Sequence, residues 1–311
     1  MTLVQLQYIV AVDIHRHFAK AADHCFVTQP SLSAQVQKLE EELGVLIFDR
    51  SKQPVIPTEA GIELIEQAKK VINEAAVFTE LVQSKKDILT GELRIGVIPT
   101  LAPYLLPLFL HSFSEKYPFV RLVINELTTD TLLTRLLEGR IDVGLLVTPL
   151  NEKGIKEEVL FYEELMAYIS PKNQAYQKHY VLPADIDPEK LWLLEEGHCF
   201  RSQIVNLCEL RKTSKEANHF EYEAGSLETL RRMVEIYDGI TILPQLATID
   251  LNEHQQKNIR HFQQPAPVRE VSLITHRDFA KRRLVQALKQ VIIDALPKSI
   301  KENINTKIIP I

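Results

Sequence analysis

The sequence predicts three parts in a row: a mainly α winged helix-turn-helix head, a long linker helix and a two-lobed α/β body. Three observations predict this. The first 58 residues are helix-rich with a turn in the middle, a proline-free helical pattern follows for about 31 residues, and from Gly91 strand-like and helix-like segments alternate.

In the head, assigned to residues 1–58, LVQLQYIVAVDIH offers Leu3, Leu6, Ile9 and Val10 at helical spacing, and AKAADHC a short helix with small Ala19, Ala21 and Ala22. The third segment, VTQPSLSAQVQKLEEELG, carries its own boundaries. Thr28 is a good N-cap, Pro30 falls in the first turn where its missing N–H is harmless, and Val27 and Leu32 have the spacing of a hydrophobic staple. Leu32, Val36, Leu39 and Leu43 form an apolar stripe that Gly44 ends. The opposite face carries Ser33, Ala34, Gln37 and Lys38, flanked by Gln29, Ser31 and Gln35, side chains small or amide-bearing enough to approach base edges. VLIFDRSKQPVIPT then reads as two short strands around a polar turn, a wing with Arg50 and Lys52 at the height of a phosphate backbone.

The linker helix, residues 59–90, places Ile62, Ile65, Ala68, Ile72, Ala75, Phe78 and Leu81 near 3.5-residue spacing. A rod of roughly 45 Å cannot bury such a stripe by itself, so it is expected to pair with a copy of itself.

The body reads as βαβαβ through ELRIGVIP, YLLPLFLHSFSEKYP, VRLVINEL, TDTLLTRLLEGR and IDVGLLV. It continues with the strand-like VLFYEELMAYIS, LWLLEEG and HFEYEAG, the helical SLETLRRMVEIYDG, ITILPQLAT, REVSLITHR and a last helix near Phe279 to Leu296. So many strands in about 200 residues predict two lobes with periplasmic-binding-protein-like architecture, one from 91–162 and 267–298, the other from 163–266. The tail, 299–311, shows no clear pattern.

Bulk properties set the limits. At 311 residues the chain exceeds the roughly 250–300 that one hydrophobic core supports. With 45% hydrophobic and 25% charged residues it is ordinary globular protein. No apolar run approaches the roughly 20 residues that cross a bilayer, and the N-terminus lacks a basic region and a cleavage site, so a cytoplasmic location without membrane is expected. The net charge is −5, and the head holds five Lys or Arg against six Asp or Glu, a balance of −1. That speaks against nucleic-acid binding by bulk charge but leaves room for a local cationic edge, doubled in a dimer. The absence of GxGxxG, GxxxxGK, HExxH and CxxC removes support for nucleotide, P-loop and zincin chemistry.

Two of the three cysteines lie in EEGHCFRSQIVNLCEL. Cys199 would start a short helix, where the macrodipole favours a thiolate, and His198 and Arg201 act in the same direction against Glu195 and Glu196, so a net depression of its pKa is expected. On a helix, Cys199 and Cys208 would stand roughly 13 Å apart on opposite faces, whereas a disulfide needs Cα atoms within about 7 Å. If they pair, the helix between them must melt, and a redox change becomes a conformational one. Two plainer readings stay open: buried packing, the usual fate of free cysteines, and a metal site, which His198, Cys199 and Cys208 alone would leave one ligand short. Cys25, on the second helix, reads as packing.

With these motifs in place the chain resembles the LysR-type transcriptional regulators over nearly its whole length, through HRHFAKAAD, TQPSLSAQVQKLEEELGVLIFDR, TEAG, IGVIPTLAPYLLP, SLETLRRMV and GITILP. LLEEGHCFRSQ with a second cysteine nine positions after the first narrows the resemblance to the peroxide-sensing members. The resemblance implies that Cys199 reacts with hydrogen peroxide and Cys208 resolves it. It also implies a pocket lined by Thr100, Thr129, His198, Arg201 and Arg269. Gln29, Pro30, Ser31, Ser33 and Gln35 would form the recognition helix, with Arg50 and Thr58 near the duplex backbone. Double-stranded DNA as partner, a homotetramer built as a dimer of dimers, RNA polymerase as a further partner, and no cofactor or metal complete what is implied. Relatives commonly carry Asp where this chain has Ser202, and losing that carboxylate favours the thiolate slightly while removing an acid/base relay. Three other readings compete: a regulator whose effector is a small metabolite in the interlobe cleft, a thiol peroxidase, for which the head has no use, and a periplasmic-type binding protein, which suits the two lobes but would need a signal peptide.

Overall fold

The computed structural model describes residues 1–84, 88–150, 152–195, 199–208, 224–277, 279, 281–301 and 307–309. Two compact units divide at Ile88/Leu89.

The first unit opens with α1 (Leu3–His15), α2 (Phe18–His24) and α3 (Gln29–Leu43). Each begins on a side-chain cap. Thr2 and Gln5 form a capping box on α1, His17 Nδ1 accepts from Ala19 N on α2, and Thr28 Oγ1 accepts from Ser31 N on α3. α3 ends on Gly44 at φ 68°, the left-handed conformation glycine adopts without strain. The core takes Leu6, Ile9, Val12, Ala21, Ala22, Leu32, Val36 and Leu39. Leu3 and Leu43, counted in apolar stripes above, are exposed, because each lies at a helix end beyond the packed turns. Cys25 is half-buried against this core, and burial raises its thiol pKa.

Phe26 also sits left-handed, at φ 55°, in the turn between α2 and α3, and is 95% exposed. A Phe side chain in this backbone conformation has no packing to offset its strain. Phe26→Asn is therefore expected to raise the stability of the head by about 0.5–1 kcal/mol. Denaturant titration of the full chain would read this as a later midpoint of the head's transition; an earlier one would contradict it.

The wing is the antiparallel pair β1 (Phe48–Asp49) and β2 (Ile56–Pro57), followed by α4 (Glu59–Ser84). Along α4, Ile65 and Ala68 are buried against the head's core, whereas Ile62 and Phe78 are exposed within this chain.

The second unit holds β3 (Gly91–Val97), α5 (Ala102–Lys116), β4 (Val120–Glu126), α6 (Thr129–Leu137), β5 (Val143–Thr148), β6 (Ile155–Ile169) and β7 (Tyr180–Val181). It continues with α7 (Cys199–Leu207), α8 (Leu227–Ile236), β8 (Ile240–Pro244), α9 (Glu253–Gln256), β9 (Ile259–Phe262), β10 (Pro267–His276), α10 (Arg282–Ala295), α11 (Lys298–Lys301) and β11 (Lys307–Ile308). The sheet order is β4-β3-β5-β10-β6-β9-β7, with β8 also on β6 and β11 on β10. β4, β3 and β5 are parallel, as βαβ connections require, and β10 runs antiparallel to β5 and β6.

β6 is a single strand of 15 residues that changes partners, pairing with β10 as far as Glu164 and with β8 from Leu165. Two parts of the sequence reading are corrected here. LWLLEEG is not a strand over its described part: Leu191 and Leu194 make only isolated bridges, to Ile240 and Ala224. The tail does have structure, since β11 pairs in parallel with Pro267 and Val268. Its order comes from a partner strand far away in sequence, which local pattern cannot reveal.

Candidate functional site

The wing's cation is already engaged inside the head. Arg50 pairs with the buried Glu40 at 2.8 Å, donates to Ser33 Oγ at 3.2 Å and stacks 4.8 Å from the Phe18 ring. The other Glu40 oxygen accepts from Ile47 N and Phe48 N at 2.8 and 3.1 Å, so this carboxylate ties α3 to the first wing strand. Thr58 Oγ1 donates to Leu46 O at 2.7 Å and accepts from Gly61 N at 2.9 Å, capping α4. Gln29, Pro30, Ser31, Gln35, Lys38 and Lys52 are exposed and Ser33 is half-buried. Gln35 also accepts from Gln5 Nε2 at 3.2 Å, which orients its amide.

In the second unit, α7 starts at Cys199 and Cys208 follows its last turn, with Cys208 N donating to Ile204 O at 3.0 Å. Both thiols are free. Cys199 is buried, and its thiol pKa is raised, with desolvation the leading cause. The opposing effects are a hydrogen bond from Thr129, the charge of Arg269, and the amides of Phe200 and Cys199 itself at the helix start. The predicted net depression is thus corrected: these groups favour the thiolate, but removing the sulfur from water outweighs them. Cys208 is pushed up to about 11 by burial alone.

Arg269 is fully buried on β10. Its Nε donates to Glu163 Oε1 at 2.7 Å, Nη1 to Thr100 Oγ1 at 3.0 Å and Nη2 to Thr100 O at 3.1 Å, and its guanidinium lies 5.1 Å from the Phe200 ring centre. Glu163 is equally buried, and its second oxygen accepts from Leu246 N at 3.0 Å. Thr129 Oγ1 is buried at the start of α6 without a hydrogen-bond partner among the described residues, close enough to Cys199 to favour its thiolate.

Thr129 and Arg269 therefore both act on the Cys199 sulfur, and Thr100 joins the group through its two hydrogen bonds from Arg269. Arg201 goes elsewhere, its Nη1 donating to Leu194 O at 2.7 Å. His198, assigned to the same pocket, lies outside the described residues. Sequence reasoning missed Glu163, although a signal was present. Along β6, Phe161, Glu163 and Leu165 point to one buried side, so a carboxylate at that register calls for a buried cation.

The raised thiol pKa has a pH consequence. The unfolded chain releases the Cys199 and Cys208 protons near pH ~8.5. Above that pH the native state binds more protons than the unfolded one, so stability falls as pH rises. Alkylation of native Cys199 should quicken about tenfold per pH unit from about pH 7 to about 9, because only the thiolate reacts. Peptide-resolved mass spectrometry measures this; a plateau below about pH 8 would contradict a raised pKa.

Residues 3–62 match the bacterial regulatory helix-turn-helix protein, lysR family, and residues 86–297 the LysR substrate binding domain. The chain is 39% identical over 247 residues to the hydrogen peroxide-inducible genes activator of Dickeya chrysanthemi, across 79% of this chain and 80% of that one. Identity and coverage are the same for the DNA-binding transcriptional dual regulator OxyR of Escherichia coli. Full-length OxyR from Pseudomonas aeruginosa, a cysteine-to-aspartate variant, superposes with a TM-score of 0.74 at 34% identity, covering 94% of this chain and 98% of that one. A peroxide-bound cysteine-to-serine variant of Corynebacterium glutamicum OxyR gives 0.62 at 29%, covering 94% and 92%. The chain belongs to the LysR family of bacterial helix-turn-helix regulators, on the branch of the OxyR proteins.

Proposed function

We propose that this chain is a transcriptional regulator that senses hydrogen peroxide through Cys199 and Cys208. The observation that carries the proposal is the meeting of the buried Cys199 thiol with the Arg269 guanidinium and a Thr129 hydroxyl that no nitrogen or oxygen atom of the described residues engages. In the first step the Cys199 thiolate attacks one peroxide oxygen, the O–O bond breaks, and the departing hydroxide takes a proton to become water. Thr129, Thr100 and Arg269 would hold the peroxide and offset the developing negative charge. The Cys208 thiolate then attacks the sulfur of the sulfenic acid, the S–O bond breaks, and a second water leaves with the disulfide formed.

The pair cannot close while α7 is helical, so oxidation would rearrange the regulatory unit and alter the spacing of paired heads on double-stranded DNA. Gln29, Pro30, Ser31, Ser33, Gln35 and Lys38 would face the groove. Lys52 and whatever charge Arg50 retains beyond Glu40 would meet phosphates. The exposed Ile62 and Phe78 on α4 support pairing of linker helices, and a dimer of such dimers supplies the four heads of a homotetramer. RNA polymerase is the proposed downstream partner and the cytoplasm the proposed site of action. Among the described residues, no helix is long and apolar enough to cross a membrane.

The test is intact-mass thiol counting before and after one equivalent of peroxide. Loss of both thiols, mapped by peptide mass to Cys199 and Cys208, is the expected result. Unchanged thiols, together with calorimetric binding of a small anion to the reduced protein, would overturn the proposal in favour of a metabolite effector.

A further inference from the structure

Between the two cysteines on α7 lies Gln203, fully buried. Its Nε2 donates to the main-chain oxygen of Ile309 at 2.9 Å, across 106 positions of chain. Ile309 N in turn donates to Val268 O at 2.9 Å, directly after the pairing of Lys307 and Ile308 with Pro267 and Val268. The Ile309 side chain is buried in the same apolar cluster as Phe200, Ile204 and Leu207 of α7. The last strand is thus fastened on one side to the residue preceding Arg269, and on the other to the middle of the helix that starts at Cys199.

Each fastening is small. β11 contributes two paired residues, and the Gln203 amide is only half satisfied, since its Oε1 has no partner among the described residues. A short strand with one polar pin holds only while both supports stand. Joining Cys199 to Cys208 removes one of them. The two Cα atoms must close from roughly 13 Å to within about 7 Å, which unwinds the turns carrying Gln203 and draws Ile204 and Leu207 out of the apolar cluster they share with Ile309.

We propose that the terminal strand, Lys307–Ile309, is a latch on the redox helix: Gln203 and Ile309 are positioning residues that hold α7 wound and restrain disulfide closure, and the strand is released when Cys199 and Cys208 pair. The proposal rests on the redox reading above, and peroxide is the oxidant it uses. Release exposes the free edge of Pro267 and Val268 beside Arg269, so the chemistry at Cys199 reaches a strand 106 positions from Gln203.

Hydrogen exchange read by mass spectrometry on the full chain, with and without one equivalent of peroxide, tests this. In the wild type, the Ile309 amide, which donates to Val268 O, should lose protection as the disulfide forms. In Cys208→Ser, peroxide should add one oxygen at Cys199 and leave that amide protected. In the near-isosteric Gln203→Met, sulfenic acid should form at the wild-type rate, while closure to the disulfide should be about fivefold faster, the effect of one lost hydrogen bond on an opening equilibrium. A general loss of structure would alter both steps together. Verified pairing with the Ile309 amide still protected, or equal effects of Gln203→Met on both steps, overturns the latch alone. Failure of the wild-type thiols to pair overturns the redox reading and the latch with it.

Discussion

Arg269→Met is expected to destabilise the regulatory unit by about 3–5 kcal/mol, because it leaves a buried carboxylate without its cation. Arg269 and Glu163 are both fully buried, and the guanidinium also satisfies the hydroxyl and the main-chain oxygen of Thr100. After the substitution, the Leu246 amide still donates to Glu163, but no longer beside a cation at Arg269. The double variant Arg269→Met with Glu163→Met should recover most of the loss, since removing both charges abolishes the desolvation penalty as well as the attraction. Denaturant midpoints of the two variants measure this, and a double variant no more stable than the single one would refute it. The double variant also separates stability from reactivity: without Arg269 the Cys199 thiolate loses a cation that favours it, and peroxide should consume the thiol more slowly at every pH.

Gly61→Ala should damage the DNA-binding unit by about 2–5 kcal/mol, combining an overpacked contact with the loss of a helix cap. A Cβ at Gly61 would stand 2.0 Å from Ile47 O and 2.9 Å from Ile47 C. That oxygen also accepts from Thr58 N at 2.9 Å, so it cannot withdraw without breaking the junction between wing and α4. The alternative is movement of the first turn of α4, which pulls Gly61 N from the Thr58 cap. Thermal unfolding and operator binding should both suffer. Gly225→Ala is the control, because among the described residues its Cβ meets only Glu195 Oε1 at 3.5 Å, an ordinary contact. Equal behaviour of the two variants would refute the argument from close approach.

The head was the most legible part because its signals are local. Thr28, Pro30 and Gly44 mark the ends of α3 by capping physics that needs no distant partner, and Leu32, Val36 and Leu39 are buried as their spacing predicts. Leu3, Leu43, Ile62 and Phe78 fit the same periodicities yet are exposed in this chain, since periodicity identifies a face and not what covers it. In the regulatory unit, the alternation of elements announced the parallel strands. The continuous β6 and the paired tail depended on long-range partners.

At the candidate site the division is sharper. The sequence by itself determined that Cys199 and Cys208 flank one helix, and hence that they cannot bond without unwinding it, because helical rise and disulfide geometry are fixed by covalent structure. Only the tertiary structure decided the charge state of the thiol. Desolvation depends on everything packed around the sulfur, and Arg269, a cation that opposes it, arrives on a strand from another part of the chain, whereas Arg201 donates to Leu194 O. The helix that must unwind is likewise held from outside, by Ile309, at the end of a tail whose own pattern is silent.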